Sequence, residues 1–243
     1  MKLRIRHTKL GKVRFTSHRD TARHWERGVR KAGLRLAYSS GFTPRPRLSF
    51  GLALPTGAES LAEFLDLELA ADSGVGESDL DGLRSVLTDA LPMGYEVTCI
   101  APREPGSPSL QEDVVQCEWV IALAGVSAPH LDDAVAHLLA APEVLLERER
   151  KGQRSTDDVR PAVIDLSVAP AVDDPRPHLC AMLATNGRGL RPTELVAAMF
   201  PALDPVDTAA RVLRTRQLIE RDGLCQDILP ADPVATRAPL GCA

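Results

Sequence analysis

Leu3, Ile5 and His7 alternate with Lys2, Arg4 and Arg6 at the start of the chain, the period-two pattern of a strand with one buried face. Gly11 permits a turn, and Lys12–Phe15 reads as a continuation or re-entry of the sheet. After Ser17 the period changes. Ala22, Trp25, Val29 and Ala32 recur at three- and four-residue spacing, which predicts a helix over 18–32. Ser17 is its expected N-cap, Asp20 lies in its first turn and Gly33 closes it. Leu34–Tyr38 predicts a short strand and Ser39–Arg47 an irregular loop punctuated by Gly41, Pro44 and Pro46. Leu48–Leu54 and Leu61–Leu69 predict a hairpin around Pro55-Thr56-Gly57, with Leu65, Leu67 and Leu69 opposing Phe64, Asp66 and Glu68. A helix capped by Ser78 and running to Ala90 places Leu80, Leu83, Val86, Leu87 and Leu91 on one face, and Tyr95–Ile100 is a further strand.

Strand, helix, paired strands, helix, strand is the split βαβ order of a ferredoxin-like domain. Ala101–Asp113, with Pro102, Pro105 and Pro108, reads as a linker. Beyond it the order partly repeats: strand Val114–Ala124, helix Leu131–Ala140, strand Val144–Glu149, polar loop Lys151–Asp158, strands Ala162–Ala169 and His178–Thr185, and helix Pro192–Phe200. The expected fold class is therefore α+β, with two ferredoxin-like halves joined by a Pro-rich linker. The domains are a basic first domain over 1–101, the linker 102–113, a second α+β domain over 114–225 and a flexible tail over 226–243.

At 243 residues, 44% apolar and 26% charged, the composition is globular and excludes a wholly disordered chain. No apolar stretch reaches the roughly 18 residues of a membrane span. The five cysteines are scattered and form no CxxC pair, so neither a zinc ribbon nor a disulfide framework is suggested, and a cytoplasmic location is expected. Charge changes the picture more. Fourteen of the 29 Lys and Arg residues fall within Met1–Phe50, against two acids, Asp20 and Glu26, a formal +12; the remainder carries −16. Five of the nine aromatic residues share that segment. Basic charge interleaved with rings is the composition of a phosphate-tracking, base-stacking surface.

Two clusters carry candidate chemistry. Phe15–Asp20 sets a hydroxyl, an imidazole and a carboxylate at a strand-to-helix junction, where unpaired backbone N–H groups suit an anion. His18 is the candidate catalytic residue, as a general acid or base. Neighbours on one helical turn cannot line up as a Ser-His-Asp triad. Simple capping by Ser17, with Asp20 offsetting the helix dipole, explains the same residues. In the second cluster, Tyr38–Gly51, Gly41 gives freedom and Pro44 and Pro46 give stiffness, so Arg45 and Arg47 are presented from a partly rigid loop. The expected nucleic-acid-binding set is Arg14, Ser17, His18, Arg23, Arg27, Arg30, Tyr38, Phe42, Arg45, Arg47 and Ser49. Glu59-Ser60 is a weaker candidate for a ligand-contacting turn. No Walker loop, HExxH or paired His/Cys spacing is present, so neither metal nor cofactor is expected.

Lys2–Arg6, Lys9–Asp20, Tyr38–Gly51 and Leu54–Ser60 resemble, in order, the motifs of the radical-SAM-linked protein family. The resemblance covers about Lys2–Leu69, with Arg160-Pro161 and Arg191-Pro192 at family positions beyond. It implies a domain of unknown function, found fused behind a cobalamin-binding-type radical SAM module or, as expected here, free-standing. Arg19 stands where the family often has leucine, and Arg45 where it often has histidine, which argues against histidine chemistry in that loop. No CxxxCxxC triplet exists to hold an iron–sulfur cluster. Any radical enzyme involved is a separate polypeptide.

Three readings follow, in this order. The first is an RNA-binding accessory protein supporting an RNA-modifying or RNA-processing enzyme, with RNA and that enzyme as partners and no membrane. The second is a protein-interaction module docking a separate radical SAM enzyme, and the third a metal-independent RNA-acting enzyme using His18. The absence of a complete catalytic constellation favours a non-enzymatic role.

Overall fold

The computed structural model describes residues 1–150, 152–169, 174–187 and 189–230. They form two compact units, one of Met1–Val114 with the described residues from Ile219 onward, the other of Val115–Leu218. The architecture is α+β, as the periodicities predict.

In the first unit β1 (Lys2–Lys9) lies between β3 (Glu59–Glu68) and β4 (Val97–Pro102), antiparallel to both, and β2 (Leu48–Phe50) pairs antiparallel with β3. The order is therefore β4-β1-β3-β2. Leu3, Ile5, Leu65, Leu67 and Leu69 face α1 (His18–Lys31) and α2 (Leu80–Ala90), whose Trp25, Val29, Leu83 and Leu87 complete the core. The two helices approach closely at Gly28, where a Cβ would lie 2.7 Å from Leu91 Cδ2. Ser17 caps α1 as expected: its Oγ accepts from Asp20 N–H at 3.1 Å and donates to Asp20 Oδ2 at 2.7 Å. Gly33 ends the helix in the left-handed region, at φ +73°.

The other row of β1 departs from expectation. Instead of meeting solvent, Arg4 and Arg6 are 6% and 5% exposed. Arg4 sits opposite Asp66 in register and grips its carboxylate with two bonds, Nε to Oδ1 at 2.8 Å and Nη2 to Oδ2 at 3.0 Å. Arg103 Nε approaches the same carboxylate at 3.1 Å. Arg6 donates to the Leu61 and Leu229 carbonyls at 3.4 and 3.3 Å, and its guanidinium lies 5.9 Å from the Phe64 ring centre. Lys9, also buried, donates to Thr16 O at 2.9 Å.

Smaller corrections have local causes. Lys12–Phe15 lies within a 3-10 helix, Gly11–Phe15, anchored where Glu59 Oε1 accepts from Gly11 N–H at 2.7 Å. Leu34–Tyr38 makes two isolated bridges, Leu36↔Leu69 and Tyr38↔Pro46, without becoming a strand. The helix expected from Ser78 starts as a 3-10 turn, Glu77–Asp79, in which Asp79 Oδ2 accepts from Gly76 N–H at 2.8 Å, and Val86 is exposed. Residues 102–113 carry the end of β4 and the short α3 (Leu110–Asp113), whose Asp113 pairs with Arg221.

In the second unit β5 (Val114–Leu123), β8 (Val163–Ala169), β9 (His178–Ala184) and β10 (Ala209–Arg221) take the order β10-β5-β9-β8. α4 (Ala128–Ala140), α5 (Pro192–Met199) and α6 (Pro205–Thr208) join them. β6 (Leu145–Arg150) and β7 (Gln153–Asp158) form a separate hairpin where a strand and a polar loop are expected. β10 lies outside the predicted elements, because Arg211, Arg214 and Arg216 disguise its alternation. Arg214 is buried, 5.5 Å from the Trp119 ring centre. From Ile219 the chain belongs to the first unit, where a turn at Asp222 and Gly223, both at positive φ, returns the end of β10 into β11 (Leu224–Asp227). The tail expected from 226 thus begins inside a strand, and its residues 231–243 lie outside the described ones.

Cys180 is disulfide-bonded, contrary to the expectation from cysteine spacing, while Cys225 is an exposed free thiol. Among the described residues no helix is long and apolar enough to cross a membrane.

Removing one partner of a buried ion pair leaves the other charge uncompensated. Asp66→Ala is therefore expected to cost about 3–5 kcal/mol in urea denaturation, whereas joint replacement of Arg4 by Met and Asp66 by Leu recovers most of it. A loss under 1 kcal/mol for the single variant would show that the pair is dispensable.

Candidate nucleic-acid interface

At about 100° per residue, Arg19, Arg23, Arg27 and Arg30 fall within an arc of about 80° on α1, opposite the buried Trp25 and Gly28. All four are exposed, and from Arg19 to Arg30 the stripe runs about 16 Å at 1.5 Å per residue. Arg23 meets Asp20 at 3.1 Å, and Arg27 Nε donates to Arg23 O at 3.2 Å. No carboxylate lies within ion-pair distance of Arg19, Arg27 or Arg30 among the described residues. Like charges at this spacing oppose the helix by about 0.2–0.5 kcal/mol per pair, a cost that folding alone does not require.

The C-terminal end of the stripe borders a groove of about 260 Å³. Val29, Leu34 and Leu36 supply its apolar lining, and Glu26, Arg30, Arg35 and Tyr38 its polar and aromatic rim. Pro46 also lines it and is bridged to Tyr38, so the intervening loop is rooted on the groove. That loop is closed by Ser39 N–H donating to Arg45 O at 2.9 Å and Arg45 N–H donating to Ser39 Oγ at 3.1 Å. At its tip Phe42 is fully exposed, and Arg45 stands in solvent with no ion-pair partner among the described residues. Sequence reasoning thus placed Arg23, Arg27, Arg30, Tyr38, Phe42 and Arg45 on one helix and the loop rooted beside it. It missed Arg19, Glu26 and Arg35. The helical angle alone brings Arg19 into the stripe.

The remaining expected residues lie elsewhere in this unit. Leu48 and Phe50 pack toward the helices, so the pleat turns Ser49, in register with Asp66, to the opposite sheet face. Ser49 and Arg47 line a second depression of about 160 Å³ with Lys2, Asp66, Glu68 and Arg103. There Arg47 Nη1 donates to Glu68 Oε2 at 2.9 Å, a bond that holds the Glu68 carboxyl below its usual range. Arg14 is likewise engaged, 3.5 Å from Glu59, with its guanidinium over the exposed Phe15 ring. Ser17 is occupied as the cap, and its hydroxyl, followed by Arg23, depresses the Asp20 carboxyl.

His18 is exposed, edge-on to Phe50 with ring centres 5.5 Å apart, at a recess also lined by His7, Lys9, Thr21 and Glu63. His7 and Glu63 are opposite in register, on the helix-facing side of β1 and β3, and give the aliphatic core a polar end. The recess has about 10 Å³ of room, space for one water and not for a nucleotide. Next to it Thr16, Thr21 and Tyr95 join their hydroxyls at 3.2–3.3 Å, with His24 Nδ1 3.4 Å from Tyr95 OH. Burial, then the nearby Arg27, presses His24 below its ordinary 6.5. No group of three or more His, Cys, Asp and Glu among the described residues is placed to hold a metal ion.

A family model described as an uncharacterized protein conserved in bacteria (DUF2344) matches residues 2–192. No functionally curated protein matches the chain. Among solved structures, one chain from the crystal structure of a Cbf5-Nop10-Gar1 complex aligns at a TM-score of 0.49 and 10% identity. The alignment covers 88% of this chain and 48% of that one, so this chain spans about half the length of its counterpart.

His24 supplies a pH test. Unfolded, it takes up a proton as pH falls through 6.5; folded, it does so only at lower pH, so its contribution to stability is intact above 6.5 and shrinks below it. The melting temperature is expected to fall on the acid side of 6.5, and less steeply in His24→Gln. Parallel curves would contradict the assignment.

Proposed function

We propose that this chain, which belongs to the family of uncharacterized bacterial proteins DUF2344, is an RNA-binding accessory protein. It holds RNA on the outward face of α1 and on the loop from Ser39 to Arg45, in support of an RNA-modifying or RNA-processing enzyme. The resemblance noted from sequence suggests a separate radical SAM polypeptide as that enzyme. We read each unit as ferredoxin-like, a view supported by the shared strand permutation, β4-β1-β3-β2 and β10-β5-β9-β8.

The observation that carries the binding reading is the four-arginine stripe. Arginine forks match phosphate oxygens, and a stripe of one arginine per turn offers successive contacts along a backbone. Tyr38 and Phe42, exposed beside it, offer flat faces to bases. The interface in this reading is an outward helix face with an adjoining groove. His18, at the head of the helix, acts in this reading as a contact and not as a catalyst.

Fluorescence anisotropy with an RNA oligonucleotide tests the reading. For three or four phosphate contacts, log Kobs should fall against log salt with a slope of about −2 to −3, at about 0.7 per contact. Replacing Arg23, Arg27 and Arg30 together by Gln should flatten that slope by about 2, with the circular dichroism spectrum unchanged. No binding at low salt, or a slope that the substitutions leave intact, would refute it.

A further inference from the structure

Glu26 is out of place on a surface made only for phosphate. It is one of two acids among the first 50 residues, and the other, Asp20, is engaged by Ser17 and Arg23. Glu26 is exposed, lines the groove, and has no ion-pair partner among the described residues. A carboxylate there repels a phosphate. The same groove has an apolar lining of Val29, Leu34 and Leu36 and an exposed ring, Tyr38. Two apolar faces with hydrogen-bonding edges describe a nucleobase, and a carboxylate accepts bonds from base amino groups.

Resting on the RNA-binding reading, we infer that the groove takes one unpaired base of a single strand, with Glu26 selecting an amino-bearing base over uracil. Cytosine donates from N4, adenine from N6, and guanine from both N1 and N2, so a carboxylate meets guanine with two bonds. Uracil offers a lone N3–H between two carbonyl oxygens, which a carboxylate repels. The phosphates on either side of the bound base then fall to the arginines, Arg30 at the groove and Arg45, which precedes the groove-lining Pro46. A duplex keeps its bases stacked and paired, and only single strands can lend one to the groove.

The test compares oligocytidylate with oligouridylate of equal length, so that both strands have the same charge and pyrimidine bases. The wild-type protein should bind the cytidylate about tenfold tighter, and a duplex of mixed sequence should bind more weakly than the cytidylate. In Glu26→Ala the gap should close to about twofold, mainly because the uridylate gains affinity. Equal binding by the wild-type protein would overturn the inference while leaving the RNA reading standing. So would a preference that survives in Glu26→Ala, or a gain in that variant equal for both strands, which marks a purely repulsive charge. Failure to bind either strand at low salt would overturn the RNA reading as well.

Discussion

Asp66 makes the first unit possible. β1 lies between two neighbours and is covered on both faces, yet it carries Lys2, Arg4 and Arg6 along one of them. Arg4 can be buried only because a carboxylate sits opposite it in register and accepts two charge-assisted bonds, with Arg103 on its outer side. Such a pair roughly breaks even against an apolar replacement, but either half alone is a large penalty. It therefore fixes how β1 and β3 align more than it adds to stability, and that alignment positions everything borne by the strands and their connections.

The same constraint divides the basic segment by role. Arg4, Arg6 and Lys9 are spent inside the fold on Asp66 and on backbone carbonyls. Arg14 and Arg47 are drawn to Glu59 and Glu68. Arg35 is held by Asp72. Of the arginines, what remains available is the outer face of α1, where Arg19, Arg27 and Arg30 stand without carboxylate partners among the described residues, and Arg45 on the loop beside it. A formal charge of +12 over the segment thus overstates the surface on offer to a partner. The arginines that stay free form a narrow stripe bordered by a groove and exposed rings, an arrangement suited to one backbone and a base or two.

Legibility followed the range of the interactions involved. α1 could be read in full because its cap, period and closing glycine all lie within a few residues of one another. β1 was recognisable as a strand, but alternation cannot say whether a polar row meets water or a carboxylate 62 residues further on. Arg45 and Arg47 looked like neighbours in one loop; the short β2 and its pleat turn Arg47 and Ser49 to the other side of the sheet. The groove was invisible for a similar reason, since Glu26, Arg35 and Pro46 meet only when the chain doubles back from α1. β10 escaped because three arginines interrupt its apolar rhythm, and burial of Arg214 over Trp119 is a tertiary fact.

Arginine-directed chemical footprinting with phenylglyoxal, read by mass spectrometry with and without a single-stranded RNA, tests the division of cations most directly. Arg4 and Arg6 should be unreactive in both states, while Arg19, Arg23, Arg27, Arg30 and Arg45 should react freely in the protein alone and slow on adding RNA. Arg154, exposed in the second unit, should react alike throughout. Ready modification of Arg4 and Arg6 in the free protein, or protection by RNA that misses α1, would contradict the account.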